Sequence, residues 1–116
     1  AEQTLAATQA MEDRQVIVHC HFYAFPGSMI RIWKTTYLHP AGFPEVRSRL
    51  LHAENISYAP VWTRFKKWGI HTFTLIFEGL PEGCLTFDLS EETEGSGRFF
   101  VPGILRTDSD VYHLPL

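Results

Sequence analysis

Two alternating runs, His71 to Phe77 and Cys84 to Leu89, enclose a connection that contains Gly79, Pro81 and Gly83. In the first run His71, Phe73, Leu75 and Phe77 share one face while Thr72, Thr74 and Ile76 share the other; in the second, Leu85, Phe87 and Leu89 oppose Cys84, Thr86 and Asp88. Side chains of a strand point alternately to its two faces, so a period of two is the pattern of a half-buried strand, and a helix would scatter the same residues around its axis. Glycine supplies positive φ and proline fixes φ near the turn value, so neither a helix nor an unbroken strand passes through Glu78 to Gly83. The segment is therefore expected to be a hairpin or a corner at which the chain crosses between layers of an all-β domain.

The rest of the chain carries the same signature. Val16, Val18, Cys20 and Phe22 alternate with Ile17, His19, His21 and Tyr23, and Pro26 and Gly27 close this first strand. Met29 to Leu38 reads as a second strand, ended by Pro40, Gly42 and Pro44. Arg49 to Ser57 is expected to be a third, with Leu51, Ala53 and Asn55 on one face, since no helix cap precedes it and Pro60 follows closely. A short strand is predicted near Val61, a further one from Arg98 to Leu105 whose Pro102 and Gly103 imply an edge or a bulge, and a last one from Asp110 to Leu114. Seven or so short strands with turn chemistry between them, and no amphipathic helix, predict an antiparallel β-sandwich of immunoglobulin-like proportions, with a small β-barrel as the alternative.

At 116 residues the chain suits a single domain. Residues 16–116 are expected to form it, preceded by a flexible or helical arm from Ala1 to Gln15 that has few large apolar groups. Nine Phe, four Tyr and three Trp favour pleated surfaces over helices. A net charge of -3 supplies no field to gather nucleic acid or an anionic membrane surface, and no apolar run approaches the length of a membrane span. The first residues lack the positive start and apolar stretch of a signal peptide, as would those of a cytoplasmic chain, the slightly favoured expectation, and equally those of a mature secreted chain already freed of its signal. Cys20 and Cys84 are expected to be reduced and packed in the core, with a disulfide bridging two sheets as the alternative.

The stretch FTLIFEGLPEGCLTFDLSE, Phe73 to Glu91, with LLHAENIS, Leu50 to Ser57, upstream of it, resembles small bacterial immunoglobulin-like β-sandwich domains of unassigned function. An aromatic-rich strand there runs into a Leu-Pro corner and then into a strand ending in acidic residues. The resemblance implies a sandwich with an accessory, non-catalytic role, and it brings no catalytic residues or cofactor with it.

Three patterns bear on chemistry. His19 and His21 lie on one face of the first strand about 7 Å apart, a spacing that lets two imidazoles hold zinc or copper if His52, His71, His113 or Glu54 completes the set; the competing expectation is a wet or packed strand face. Cys20 lies between these histidines in sequence but opposite them in space, so a Cys-His nucleophile is not expected. Glu91, Glu92 and Glu94 read as a solvated loop, and Asp108 and Asp110 as a turn, lacking the glycine and bidentate glutamate of an EF-hand.

The third pattern is Trp62, Arg64, Phe65, Lys66, Lys67 and Trp68, with Trp33 near Arg31 and Lys34 as a similar group. Flat aromatics stack on sugar rings or bases and the cations hold a carboxylate or phosphate; the competing expectation, the favoured one, is that Trp62 and Trp68 pin the loop to the sandwich edge while the cations stay solvated. The functional expectation is a non-enzymatic interaction domain that needs no cofactor and binds a protein partner or itself. Carbohydrate binding through Trp62, Trp68 and Trp33 is the first alternative, and a histidine metal site the second.

Overall fold

The structure, a computed structural model, describes residues 14–93 and 98–116. Nine strands and no helix occur among them: β1 (Val16–Ala24), β2 (Met29–Ile30), β3 (Thr36–Pro40), β4 (Ser48–Glu54), β5 (Thr63–Arg64), β6 (Gly69–Phe77), β7 (Thr86–Glu91), β8 (Phe100–Leu105) and β9 (Val111–Pro115). The all-β expectation holds. The N-terminal arm lies outside the described residues except for Arg14 and Gln15, as does Glu94.

Seven strands form one sheet in the order β8-β7-β3-β4-β6-β1-β9, and β2 pairs with β5 in a separate ribbon. Every pair in the large sheet is antiparallel except β1 with β9, which runs parallel from Ile17↔Val111 to His21↔Pro115. The sheet is thus mixed, where the strand and turn pattern led to an expectation of antiparallel pairing throughout. Parallel neighbours must be brought together by distant parts of the chain; here the first and last strands of the domain meet, a pairing no local signal announces.

The sheet curls into a half-barrel around one core. Along the sheet β7 and β9 are five strand spacings apart, roughly 24 Å if it were flat, yet the rings of Phe87 and Tyr112 meet at 5.0 Å. Val16, Val18 and Cys20 of β1, Phe73, Leu75 and Phe77 of β6, and Phe87 and Leu89 of β7 fill the concave side. Burying a Phe side chain contributes about 1.5–3 kcal/mol, and Phe73, Phe77 and Phe87 are all fully buried.

Glu78 to Leu85 is a corner, not a hairpin: β6 pairs with β1 and β4, whereas β7 pairs with β3 and β8. Gly83 takes φ of +86° there, Leu80 and Cys84 plug inward, and Ser48 Oγ donates to the Gly79 carbonyl at 3.0 Å. At the outset of the corner Arg49 donates from its backbone and its Nε to Glu78 Oε1 at 2.9 and 2.8 Å.

Several strand assignments shift. The predicted second strand breaks into β2 and β3 because the chain turns at Lys34 and Thr35, where Thr36 Oγ1 donates to the Trp33 carbonyl at 2.6 Å. In β4 a register shift between Leu50 and His52 moves the pattern by one, so Ala53 is buried but Leu51 is exposed. The strand expected near Val61 lies at Thr63–Arg64, and Val61 itself is exposed. Pro102 and Gly103 do mark both an edge and a bulge: β8 ends the sheet, and its register against β7 slips where Gly103 N–H donates to Asp88 Oδ1 at 2.8 Å.

Candidate functional site

The outer face of β1 and β6 carries an apolar group that packing does not require. Register pairs Tyr23↔Ile70, His21↔Thr72 and His19↔Thr74 stand side by side on this convex face, opposite in phase to the buried Val18, Cys20, Phe73 and Leu75. Just beyond the Tyr23↔Ile70 end of the ladder, the rings of Phe25 and Trp68 lie 6.3 Å apart. Trp68 is 80% exposed, Tyr23 65%, Ile70 63% and Phe25 50%. Around Trp68 runs an open depression of about 350 Å³ lined by Arg64, Lys66, Lys67 and Ile70 among others. A large apolar cluster rimmed by charge marks a contact surface more often than an accident of composition.

The predicted Trp62 to Trp68 cluster divides into two places. Phe65 is only partly available, because it lines the depression but packs against Phe22 at 5.7 Å and His71 at 4.9 Å, and its backbone bonds both Ser28 and Gly27 at 2.9 Å. Arg64, Lys66, Lys67 and Trp68 share the depression just described. Trp62 instead joins Trp33: the Arg31 guanidinium sits 3.9 Å from the Trp62 ring centroid and 5.1 Å from that of Trp33, and its Nη1 donates to the Pro60 carbonyl at 3.3 Å.

This second place is a cleft of about 250 Å³ lined by Phe22, Met29, Arg31, Trp33, Trp62, Glu91, Arg98 and Phe99 among others. Glu91, read from sequence as part of a solvated loop, is the last residue of β7 and is 1% exposed. The alternation of Phe87, Leu89 and Glu91 turns it inward, and β3 covers it through the pair Thr36↔Glu91. Its Oε1 accepts from Phe99 N–H at 3.1 Å, whereas Oε2 has no hydrogen-bond partner among the described residues. Burial raises its carboxyl above the usual range, against the opposing pull of the Phe99 and Trp33 backbone and of Arg31. Glu92, the next residue, is exposed and pairs with Arg47 at 3.0 Å, as expected of a solvated carboxylate.

His19 and His21 acquire a neighbour from the parallel strand. His113 stacks on His19 at 5.0 Å and on His21 at 5.5 Å between ring centroids, with His21 Nε2 and His113 Nδ1 3.3 Å apart. The Nδ1 atoms of His19 and His21 are engaged by Thr74 and Thr72 hydroxyls at 2.8 and 3.0 Å. Stacked rings direct their lone pairs alongside one another, and among the described residues no group of three His, Cys, Asp or Glu gathers as metal ligands.

Cys20, buried on the other face, has its thiol pushed up to about 12 by burial, which suits a core group and not a nucleophile. Cys84 is likewise free and buried. Asp110, read from sequence as part of a turn, is fully buried and held by three partners among the described residues: Tyr112 Oη donates to its Oδ1 at 2.9 Å, Arg106 Nε reaches the same oxygen at 3.2 Å, and Arg14 Nε lies 2.9 Å from Oδ2.

Sequence reasoning missed Tyr23, Phe25 and Ile70 as companions of Trp68, and Glu91 as a companion of Trp33 and Trp62. The signal for the first group was present, since the convex phase of β1 should be polar and instead ends in Tyr23 and Phe25. Comparison with family models, curated proteins and solved structures found no match to this chain.

Proposed function

We propose that the chain is a non-catalytic interaction domain whose contact surface is the cluster Trp68, Phe25, Tyr23 and Ile70, and that its occupant is an acidic, extended segment of another protein. The observation that carries this reading is the 80% exposure of Trp68 among three other exposed apolar side chains. Water contact on so much apolar area is a cost that a bound partner removes, and Trp and Tyr are the residues that anchor interfaces. The adjoining Arg64, Lys66 and Lys67 select the charge of the partner.

A second copy is a poorer occupant. A two-fold interface on this surface would bring the cations of one chain against those of the other. Sheet edges are also poorly suited to self-pairing. Ile17 N–H donates to Asp110 O and Leu116 N–H to His21 O, which sets even-numbered residues of β9 toward β1 and odd ones toward the free edge. Pro115 brings no donor to that edge and Ser109 Oγ accepts from Val111 N–H at 3.4 Å, while β8 is interrupted by Pro102 and its bulge. The frame that presents the surface we read as an immunoglobulin-like sandwich in distorted form, on the support that the β4-β6-β1-β9 and β8-β7-β3 parts of the sheet face each other across one core.

The test is a fluorescence-anisotropy titration with synthetic peptides rich in Asp and Glu and carrying Phe or Leu, beside charge-reversed copies. Binding by acidic peptides only, weakened by added salt and about tenfold weaker in Trp68→Ala, is expected. Absence of binding by every acidic peptide, or equal affinity in Trp68→Ala, contradicts the proposal. So does a dimer in light scattering that dissociates in Trp68→Ala, which would make a second copy the occupant.

A further inference from the structure

Beyond the protein contact, we infer that the cleft between Trp33, Trp62 and Glu91 is a second, independent binding site, and that it takes a single sugar ring of the hexose class. Two observations point to a ligand there. One is the Arg31 guanidinium held between two indoles and tied to the Pro60 carbonyl, so that a normally mobile cation is fixed in position at the mouth of a cleft. The other is Glu91, buried in the wall of the same cleft with Oε2 lacking a partner among the described residues. A buried carboxyl oxygen without a hydrogen bond is costly, and such atoms call for an explanation.

The chemistry of the wall chooses the ligand. Arg31 and Arg98 are donors only, and an ionised Glu91 is an acceptor only. A bare anion would suit the arginines and meet repulsion from Glu91; an amine would do the reverse. A hydroxyl both donates and accepts, so adjacent hydroxyls of one ring satisfy both kinds of group without a net charge. The remaining wall is Phe22, Met29, Trp33, Trp62 and Phe99, flat or pliable apolar surface suited to the C–H face of a pyranose. A volume of about 250 Å³ fits one ring and is below the range usual for larger ligands. Trp68, grouped with Trp33 and Trp62 in the sequence, lines a different depression and takes no part.

The site is tested by NMR titration of the full chain with the methyl glycosides of glucose, galactose, mannose and N-acetylglucosamine, following the three indole N–H signals, with sodium acetate and methylamine as charged controls. At least one glycoside is expected to shift the Trp33 and Trp62 signals and leave Trp68 in place, with a millimolar dissociation constant. Trp62→Ala and Glu91→Gln are each expected to weaken it at least about tenfold, the effect of losing one stacking face or one charge-assisted hydrogen bond. Trp68→Ala is expected to leave it unchanged, which separates this site from the protein contact. Glu91→Gln keeps the shape of the side chain, and its thermal midpoint reports whether the fold survives; Arg98→Ala, at an exposed position, gives a second reading of the same wall. The inference is overturned if no glycoside moves Trp33 or Trp62 at 100-fold excess, if acetate or methylamine alone moves them, or if folded Glu91→Gln and Arg98→Ala both bind as the parent does.

Discussion

The hydroxyl of Tyr112 donates to the buried carboxylate of Asp110 at 2.9 Å and accepts the backbone N–H of Thr107 at 3.0 Å. This pair closes the turn between the last two strands, and Arg106 links it to the corner after β6 through the carbonyls of Pro81 and Leu80. The parallel strand β9 is thus locked to the far side of the core by charge as well as by the Phe87–Tyr112 ring contact.

Removing one side of that network is expected to cost far more than removing a surface ion pair. Asp110→Ala leaves the half-buried Arg106 without its carboxylate partner, at about 3–5 kcal/mol. Tyr112→Phe, which strips a single hydroxyl, is expected to cost about 1–3 kcal/mol. Urea unfolding of both variants reads this directly, and equal, small losses would show that the network does not hold the turn. Arg49→Ala, which breaks an exposed pair with Glu78, serves as the comparison and is expected to change stability little.

Glu91 gives the folded chain a pH dependence of definite sign. Its carboxyl is raised by burial above the ordinary value of 4.5, so the stability that comes from keeping it neutral is present in full below that pH. It is lost as pH rises through the higher folded value. Glu91→Gln cannot ionise, so its thermal midpoint relative to the parent is expected to climb as pH is raised from about 4 toward 7. A difference that stays flat or falls over this range would mean that Glu91 ionises in the folded chain as easily as in the unfolded one.

Both thiols are expected to be silent until the chain unfolds. Burial raises Cys20 to about 12, and raises Cys84 with only partial opposition from Arg106. A disulfide-exchange reagent at pH 8 should therefore find no reactive thiol in the native protein and two after denaturation. The neutral Cys20 thiol also ceases to favour the folded state as pH rises from 9.0 through about 12, so stability should decline in strong alkali. Rapid labelling of Cys20 at pH 8 would contradict its burial.

The histidine stack is expected to be a surface feature without a resident metal. Two imidazole nitrogens, His21 Nε2 and His113 Nδ1, come within 3.3 Å, but the neighbouring Nδ1 atoms are held by threonine hydroxyls. Zinc or copper added to untagged protein should leave the thermal midpoint where it was, since a ligand bound only by the native state would raise it. A rise that disappears in His113→Ala would establish a site there.

Strand existence and interior phase were legible in the residues themselves. Val16, Val18 and Cys20, and Phe73, Leu75 and Phe77, declared their buried face through period two alone, and Pro102 with Gly103 declared the bulged edge. What failed was non-local or depended on one hydrogen bond. The parallel meeting of β1 and β9 joins residues some ninety positions apart, and the break between β2 and β3 rests on a threonine hydroxyl that composition does not single out. The aromatic-basic run from Trp62 to Trp68 looked continuous because its members are adjacent in the chain. Turning at β5 sends Trp62 to Arg31 and Trp68 to Phe25, and only the folded backbone separates the two. Glu91 was misplaced because three acidic residues close together suggest solvent, although strand alternation from Phe87 already pointed it inward.

The most direct measurement of the proposed contact is backbone and indole NMR of the chain titrated with the tightest-binding acidic peptide. Shifts should gather at Tyr23, Phe25, Lys66, Lys67, Trp68 and Ile70 and leave Trp33 and Trp62 unmoved. Shifts confined to the cleft of Trp33 and Trp62, or to the free edges of β8 and β9, would contradict the assignment of this face as the partner surface.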